Sequence, residues 1–200
     1  MTLFEYDSEI RNNFPVICGI DEAGRGPLAG DVYAAAVIFD EETVIEGIND
    51  SKKLSEKKRE LLYDEIVSKA KAYCVASATA EEIDNINILQ ATFLAMKRAY
   101  EGLGIAADLA LIDGNRTPNL QCGMKTIVKG DSLSACIAAA SILAKVSRDR
   151  YMKELAEKYP EYCFEKHKGY GTKLHCELIL KYGPCPIHRK TFLKKLYKNG

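Results

Sequence analysis

The chain has 200 residues, with 28 basic and 28 acidic side chains that give a formal net charge of zero. This length favours one domain with at most a small appendage, and a hydrophobic content of 47% excludes a disordered chain. The longest uncharged run, residues 132–144, is too short to span a bilayer, and the first residues lack the apolar core of a signal peptide, so we expect a cytoplasmic protein with no membrane partner.

Strand and helix patterns alternate along the chain. Short apolar runs bounded by turn residues indicate strands, and apolar residues every three or four positions indicate helices. In chain order, the predicted elements are strands at 16–21 and 32–39, a helix at 55–72, a strand at 73–80, a helix at 80–103, strands at 109–112 and 125–128, and a helix at 133–159. Short helices and loops follow. This order predicts an α/β fold whose sheet begins antiparallel and continues with parallel strands.

The charge is divided unevenly along the chain. Residues 166–200 contain nine Lys or Arg and one acid, so their net charge is +8, and residues 1–165 carry a net charge of −8. All three histidines, His167, His175 and His188, lie in this basic segment. A basic segment beside an acidic body can follow a phosphate backbone, but a solvated tail explains the charge equally well.

The seven cysteines include no CxxC pair and no paired Cys/His metal pattern. Several lie in apolar segments, where a free cysteine behaves as a small hydrophobic residue. With no export signal in the sequence, this pattern indicates a reducing cytoplasm and no disulfide framework.

Four acids stand where a strand meets a turn. Asp21 and Glu22 end the first strand, Asp113 follows the run LALI, and Asp131 follows the run KTIV after a short turn. If these strands are neighbours, the carboxylates converge at one edge of the sheet, and their repulsion would force at least one to protonate unless a cation binds. Oxygen ligands alone favour Mg²⁺ or Mn²⁺ over zinc. The pattern therefore predicts a divalent metal site.

The geometry and the single residues also allow other interpretations. Strict alternation along a strand would send Asp21 and Glu22 to opposite faces, so we expect a bend there, which the glycines of AGRG permit. Taken singly, each acid has an ordinary role. An Asp-Glu pair before glycine is commonly a solvated turn, Asp113 precedes a Gly-Asn turn, and Asp131 is placed to N-cap the next helix.

Six motifs, in this order, resemble ribonuclease HII, the type 2 RNase H family, along nearly the whole chain. They are GIDEAGRGPLAGDVYAAAVI (19–38), NDSKKLS (49–55), LIDGN (111–115), KGDSLSACIAAASILAKVSRDR (129–150), HKGYGT (167–172) and YGPCPIHR (182–189). The resemblance implies an RNase H-like fold, with a mixed central sheet flanked by helices and a small helical C-terminal segment. It implies a catalytic domain over residues 1–165 and a basic segment, 166–200, packed on the same domain.

The resemblance also implies an activity. It is that of an endonuclease that hydrolyses the RNA strand of RNA–DNA hybrids and incises at single ribonucleotides in duplex DNA, leaving 5′-phosphate and 3′-hydroxyl ends. The family's acids fall on Asp21, Glu22, Asp113 and Asp131, which would hold two ions of Mg²⁺ or Mn²⁺, and we expect Asp21 to bridge both. The expected partners are these nucleic acids, and we expect a monomer.

Further residues match the family's substrate-binding elements. Gly24, Arg25 and Gly26 match a GRG element that lies over the ribose and senses its 2′-OH, and Tyr170 matches a tyrosine that stacks on the sugar beside the RNA–DNA junction. The candidate phosphate contacts are polar residues of the motifs, namely Ser51, Lys52, Lys53, Lys129, Lys145 and Arg148. The spacing of the last two places them on one helix face. Surface charge without a partner is the alternative for each.

The chain departs from the family pattern at two places. Asp31 stands where a proline is frequent, and we expect no consequence for the chemistry. The tail TFLKKLYKNG lacks the glutamine-led aromatic motif by which some members bind a sliding clamp, so we do not expect tethering through the tail. Two rival functions stay open: a metal-independent ribonuclease using His167 and His188 as acid and base, and a catalytically silent protein that binds hybrids.

Overall fold

The computed structural model describes residues 1–194, 196 and 197. In chain order its elements are α1 (Leu3–Arg11), β1 (Ile17–Ala23), β2 (Val32–Ile38), α2 (Glu56–Lys69), β3 (Ala72–Ala78), α3 (Ala80–Glu101), β4 (Leu109–Asp113), β5 (Gly123–Ile127), α4 (Ala135–Lys158), α5 (Phe164–His167), α6 (Lys173–Tyr182) and α7 (Lys190–Leu193). Short 3₁₀ turns lie at Ser51–Lys53, Gly130–Ser132 and Pro160–Tyr162. The predicted strands and helices are present, with ends that differ by a few residues.

Helix α1 is an element that the sequence patterns did not predict. It begins with a reciprocal cap, in which the Thr2 hydroxyl accepts the Glu5 N–H at 3.1 Å and the Glu5 carboxylate accepts the Thr2 N–H at 2.6 Å. Thr-x-x-Glu is a recognised start signal for a helix, so the sequence did contain the information.

The strands form one mixed sheet in the order β3-β2-β1-β4-β5. The pairs β1–β2 and β2–β3 are antiparallel, whereas β1–β4 and β4–β5 are parallel. The prediction of an α/β fold with an antiparallel start and parallel additions is confirmed. Because β1 and β4 run in the same direction, their carboxyl ends meet at one edge of the sheet.

The two faces of the sheet are covered by different helices. Odd-numbered residues of β1, such as Ile17, pack in the same cluster as α4, α1 and α2, whereas the even-numbered Cys18 and Ile20 pack with α3. The contact with α4 requires Gly19, because a Cβ at this position would collide with the backbone of Cys136. Strand β1 is therefore the centre of the fold, and its orientation fixes which helix each of its side chains faces.

Helix α3 is present over the predicted range but is interrupted at Asn87, a break that the sequence pattern did not reveal. The Asn87 backbone has a φ of 67° and a ψ of 164°. Its side-chain oxygen accepts hydrogen bonds from the N–H groups of Leu89 and Gln90, at 3.0 and 3.2 Å. Asparagine tolerates positive φ and can cap the restarted helix with its own side chain, which an apolar periodicity does not reveal.

The C-terminal residues fold back onto the loop between β1 and β2. The Arg189 N–H donates to the Leu28 carbonyl and the Gly30 N–H donates to the Ile187 carbonyl, both at 2.8 Å. The Asp84 carboxylate of α3 accepts the backbone N–H of the first two residues of α7. These bonds anchor part of the basic segment next to the sheet, and the domain division at residue 165 stays a prediction.

No helix in the described part of the chain is long and apolar enough to cross a membrane. All seven cysteines are free thiols. Cys18 and Cys136 are fully buried in the core, where they act as small apolar side chains, as the sequence predicted.

Candidate active site

Asp21 and Asp113 stand side by side at the carboxyl ends of β1 and β4. The parallel register pairs Ile20 with Ile112, so the next residue on each strand is an acid. Both positions are odd-numbered and face the α4 side of the sheet, as do Leu109 and Leu111 of the same cluster. Asp21 is only 5% exposed. The strand register thus brings together two of the acids predicted to form the site.

Asp131 joins them through the turn that follows β5. The Asp113 carboxylate accepts the Gly130 N–H at 2.7 Å, which holds the 3₁₀ turn carrying Asp131 against the end of β4. Asp131 does not cap α4. That role belongs to Ser134, whose hydroxyl accepts the Ile137 N–H at 3.3 Å. The alternative interpretation of Asp131 as an N-cap is therefore wrong, and its carboxylate is available to the acid cluster.

Glu22 approaches from the opposite face of the sheet. Strand β1 stays paired with β2 through Ala23, so the bend expected between Asp21 and Glu22 begins only at Gly24. Glu22 lines a pocket of about 460 Å³ together with Asp113 and residues of α3. The expectation of a bend between the two acids is wrong, because strand pairing continues past them and keeps their side chains alternating.

Burial and neighbouring carboxylates raise the pKa of Asp21, Glu22 and Asp131. Burial raises the pKa of Asp21 well above its usual value, and the charges of Glu22 and Asp113 raise it further. Burial also raises the pKa of Glu22, with a further contribution from Asp113. Burial and then the Asp113 charge raise the pKa of Asp131 to about 6. The four side chains therefore form one electrostatically coupled cluster in which full ionisation is unfavourable without added positive charge.

Lys52 provides part of that positive charge. Its partial burial lowers its pKa, but the carboxylates of Asp21 and Asp131 outweigh this effect and raise the pKa overall. Asp50, whose side chain accepts the Lys52 N–H at 2.9 Å and caps the 3₁₀ turn, adds another carboxylate next to Asp131. The motif NDSKKLS thus contributes both signs of charge to the cluster.

The carboxylates are turned towards separate partners in the protein. Asp21 accepts the Glu22 N–H at 2.7 Å, and Glu22 pairs with Arg25 at 3.5 Å. Among the described residues, no group of three Asp, Glu, His or Cys side chains is arranged to hold a metal ion. The donor set still fits a hard dication. It consists of carboxylates whose pKa is raised by burial and then by mutual repulsion, and a bound cation offsets both effects.

The loop after β1 is held by two buried arginines. Gly24 has a φ of 94°, in the left-handed region, and a Cβ there would collide with the side chain of Arg148. The guanidinium groups of Arg148 and Arg189 donate to backbone carbonyls at Gly24, Arg25, Pro27, Ala29, Gly30, Asp31 and Lys168. The conformation of residues 24–31 therefore depends on side chains from α4 and from the C-terminal segment.

A pocket of about 240 Å³ lies between this loop and Tyr170. Its lining includes Glu22, Lys52, Lys145 and residues 24–26. Tyr170 is 43% exposed, and a Cβ on Gly26 would stand 3.8 Å from its Cε1 atom. The loop 24–26 and Tyr170, which lie far apart in the sequence, thus face each other across one pocket that one of the acids also lines.

The family model for ribonuclease HII matches residues 18–199. The chain belongs to the ribonuclease HII family. It is similar to ribonuclease HII of Caldicellulosiruptor bescii, with 57% identity over 194 residues that cover 96% of this chain and 94% of the relative. Ribonuclease HII of Idiomarina loihiensis is 58% identical over 186 residues, which cover 92% of this chain and 100% of the relative. The resemblance is confirmed, and with it an endoribonuclease that degrades the RNA of RNA–DNA hybrids.

Solved structures share this fold. Ribonuclease H2 from Pyrococcus horikoshii OT3 is 28% identical, with a TM-score of 0.76 over 92% of this chain and 98% of that chain. The RNase HII in a complex with PCNA from Archaeoglobus fulgidus is 26% identical, with a TM-score of 0.66 over 88% and 94% of the two chains. Bst-RNase HIII in complex with Mn²⁺, at 16% identity and a TM-score of 0.67 over 84% and 63%, shares the fold alone. The predicted RNase H-like fold is confirmed.

Five of the six candidate phosphate contacts lie around the pocket and the acids of this ribonuclease HII family member. Lys52, Lys53 and Lys129 are exposed. Lys145 forms an ion pair with Asp149 at 2.6 Å and lines the pocket. Ser51 is buried, and its hydroxyl shares a 2.8 Å hydrogen bond with the Ser141 hydroxyl, beside the pocket. Whether any of them contacts phosphate stays a prediction.

Arg148 does not belong with them. It is 1% exposed, and its guanidinium donates to the carbonyls of Ala29, Asp31 and Lys168 at 3.1–3.2 Å. A side chain so enclosed cannot reach a nucleic-acid backbone, so the prediction of a phosphate contact is wrong. The i, i+3 spacing correctly indicates that Lys145 and Arg148 share one face of the helix. It carries no information about how deeply each side chain is buried.

Three residues of the site were not assigned from the sequence. Arg189 donates to carbonyls of the loop 24–30, Ser141 lies close enough to Asp21 to lower the pKa of that acid, and Asp50 lies next to Asp131. Each belongs to one of the six ribonuclease HII motifs, which was the available signal. Their roles depend on partners far away in the chain, and no local pattern shows those partners.

The histidines occupy a buried cluster. His167, His175 and His188 are at most 7% exposed, and each ring nitrogen has a partner in the protein. Burial lowers the pKa of His175 and of His188 to about 4. Groups so enclosed are unsuited to exchange protons with a substrate, so the structure gives no support to the rival function with histidine acid and base.

Proposed function

We propose that this member of the ribonuclease HII family incises at single ribonucleotides embedded in duplex DNA, in addition to cleaving the RNA of hybrids, and that it uses two divalent cations. The observation that supports this most directly is the shared pocket, in which the backbone of residues 24–26 faces Tyr170 next to the acid cluster. A pocket of this size admits one sugar, which suits recognition of a single ribonucleotide.

We assign Asp21, Glu22, Asp113 and Asp131 as the residues that hold the cations. Their donor atoms are all carboxylate oxygens, which suits Mg²⁺ or Mn²⁺. When bound, two such cations activate the attacking water and stabilise the leaving oxygen of a phosphodiester. The complex of Bst-RNase HIII with Mn²⁺ is consistent with this use of the fold. The acids would hold the cations, and no side chain need act as a nucleophile. A water oxygen would bond to phosphorus as the bond to the 3′-oxygen breaks, which leaves a 5′-phosphate and a 3′-hydroxyl.

The loop 24–26 distinguishes ribose from deoxyribose in this proposal. Gly24 and Gly26 carry no side chain, so a sugar can approach their backbone groups closely. A polar group left unpaired by deoxyribose would cost about 1–3 kcal/mol, which corresponds to roughly tenfold to a hundredfold discrimination. The 2′-OH is the group that separates RNA from DNA, and Tyr170 adds a stacking surface for the neighbouring sugar.

Exposed lysines guide the nucleic acid to the pocket. Lys52, Lys53 and Lys129 surround the acids, and Lys145 lines the pocket, so we propose that they contact phosphates of the substrate. The protein acts as a cytoplasmic monomer in this proposal. We do not propose a PCNA complex like that of the Archaeoglobus fulgidus protein for this chain, because its tail lacks the aromatic motif. Residues 195 and 198–200 of that tail lie outside the described residues.

Mapping the cut in a duplex that contains one ribonucleotide tests the proposal. With Mg²⁺ or Mn²⁺, we expect incision at the ribonucleotide with a 5′-phosphate product, and no incision in EDTA. A 2′,3′-cyclic phosphate formed in EDTA would instead establish the metal-independent mechanism. Tight binding without any cleavage would establish a silent hybrid-binding protein.

A further inference from the structure

Two adjacent residues, His188 and Arg189, connect the loop 24–30 to Tyr170. We propose that they are positioning residues, which fix these two elements relative to each other and thereby set how strongly the protein distinguishes a ribonucleotide from a deoxyribonucleotide. The inference rests on the proposed function, which assigns the loop and Tyr170 to the sugar. Neither residue touches the reacting atoms, and each acts through the elements that it holds.

Arg189 organises the loop through its guanidinium. The side chain is fully buried, and its N–H groups donate to four carbonyls of one loop, those of Gly24 at 2.6 Å, Arg25 at 2.9 Å, Pro27 at 2.8 Å and Gly30 at 2.9 Å. The planar guanidinium presents its donors at fixed angles, so four bonds to one loop define its path. A lysine ammonium at this position has three donors on one atom and could not span these carbonyls.

His188 begins a hydrogen-bond chain that ends at Tyr170. The Cys185 N–H donates to His188 Nδ1 at 2.9 Å, so the proton of His188 is on Nε2. His188 Nε2 then donates to His175 Nε2 at 3.1 Å, and His175 Nδ1 donates to the Tyr170 carbonyl at 2.9 Å. This series of hydrogen bonds assigns one tautomer to each of the two imidazole rings, and it holds the backbone of Tyr170 in place.

Backbone bonds join the same three segments. The Leu28 N–H donates to the Gly169 carbonyl, and the Arg189 N–H donates to the Leu28 carbonyl, both at 2.8 Å. A Cβ on Gly169 would stand 2.5 Å from the Ala29 carbonyl oxygen, which shows how closely the backbone at residue 169 approaches the backbone at residue 29. Residues 24–30, 169–170 and 188–189 therefore form one unit, and the width of the pocket depends on this unit.

Preorganisation explains why such a unit matters for recognition. A loop with three glycines within residues 24–30 has many accessible conformations, and ordering it only when substrate binds would weaken binding and orientation. Buried donors that already fix the loop avoid this cost. Loosening them should reduce discrimination more than it reduces general affinity for nucleic acid, which a purely structural role would not do.

Arg189→Lys tests the inference, with Arg11→Lys as the matched control. Arg11 also donates to a backbone carbonyl, that of Phe39 at 3.2 Å, but it lies at the opposite end of the sheet. The measurements are the kcat and KM on a duplex with one ribonucleotide, and the Ki of the identical all-DNA duplex as a competitor. For Arg189→Lys we expect kcat/KM to fall at least tenfold and the ratio of Ki to KM at least threefold. The control should stay within twofold of wild type in both.

His175 gives a second test that does not depend on the folding of the Arg189 variant. His175→Gln removes the Nδ1 donor to the Tyr170 carbonyl, and we expect kcat/KM to fall about fivefold. His175→Asn retains a donor near the Nδ1 position and should restore part of the loss. In a Tyr170→Ala background, His175→Gln should have no further effect, because its action passes through Tyr170.

The outcomes separate the inference from the proposed function. If Arg189→Lys matches Arg11→Lys in kcat/KM and in the ratio of Ki to KM, or if the effects of His175→Gln and Tyr170→Ala are additive, the inference is wrong. If the wild type does not incise at a lone ribonucleotide, the proposed function fails. In that case the same variants, compared on a long RNA–DNA hybrid, still decide whether Arg189 positions the loop for cleavage.

Discussion

The Asp113 carboxylate accepts the backbone N–H of Gly130 at 2.7 Å, next to Asp131. This bond joins the end of β4 to the turn after β5 and keeps two acids together that are distant in the sequence. A Cβ at residue 130 would stand 2.6 Å from Ile137 Cδ1 and 3.4 Å from Asp113 Oδ1, so a larger residue there would have to displace the Ile137 side chain. A carboxylate that already accepts a backbone donor is oriented before any ligand arrives.

Asp113→Asn should separate charge from geometry. The amide oxygen can still accept the Gly130 N–H, but one negative charge leaves the cluster. We expect kcat on a hybrid to fall at least 100-fold, on the order expected for loss of a charged group in an active site, while the Kd for the hybrid changes less than about threefold. Asp108→Asn is the control, since Asp108 makes a similar 2.8 Å bond to the Val16 N–H at the other end of β4. Unimpaired cleavage by Asp113→Asn would remove this residue from the site.

Asp21→Asn should stabilise the fold while it abolishes cleavage. Asp21 is buried beside like charges that raise its pKa, so a neutral side chain relieves repulsion that the charged one maintains. We expect the free energy of unfolding in EDTA to rise by about 1 kcal/mol, or about 2–4 °C in Tm for a chain of this length. Thermal unfolding of this variant and of the exposed control Asp64→Asn measures the effect. A Tm below that of the wild type would contradict the electrostatic account.

Tyr170→Ala should affect the two substrates unequally. In the proposal the ring stacks on one sugar, so its loss should reduce kcat/KM for a lone ribonucleotide about tenfold more than for a long hybrid, where many registers can bind. Tyr170→Phe keeps the ring and should stay within about threefold of wild type on both, because stacking on an aromatic ring needs no hydroxyl. Equal losses on both substrates would remove the specific role of this side chain.

The lysines and Arg148 should differ in their response to salt. Lys53→Gln and Lys129→Gln should each reduce the slope of log Kd against log salt by about 1, as expected for the loss of one phosphate contact. Arg148→Gln should leave that slope unchanged and lower the Tm, because Arg148 is buried against carbonyls. A slope reduced by about 1 for Arg148→Gln would restore its original assignment as a phosphate contact.

The buried histidines should make stability fall in mild acid. Burial lowers the pKa of His175 and His188 to about 4, below the ordinary value of 6.5, so the unfolded chain binds more protons than the folded one between these pH values. The free energy of unfolding is therefore highest, as far as these histidines determine it, above pH 6.5. It falls by on the order of 1–3 kcal/mol in total as the pH is lowered towards 4. His175 faces His167 and His188 beside the Tyr170 carbonyl, and His188 in turn faces Cys185. Tm measured from pH 7.5 to 4.5 should fall less steeply for His175→Asn; an equal slope would contradict this origin.

Much of the site could be predicted from local patterns. The acids at strand ends, the turns after them and the helix caps follow from side chains interacting with their near neighbours in the sequence. Ser55, for example, was predicted to cap α2, and its hydroxyl accepts the Lys58 N–H at 3.2 Å. The break at Asn87 shows the limit, because apolar periodicity continues across it although the backbone does not.

The sequence by itself determined the class of the sheet strands and of the long helices after α1, the grouping of acids at the ends of β1 and β4, and the family. Only the tertiary structure decided which basic residues are available to a ligand. Arg148 and Arg189 read as surface charges like the lysines, yet both are buried because backbone carbonyls from distant segments accept their hydrogen bonds. It also decided that Asp21 and Glu22 face opposite sides, because β2 keeps β1 paired beyond them. Whether a charge is buried depends on partners that the chain brings together only when it folds.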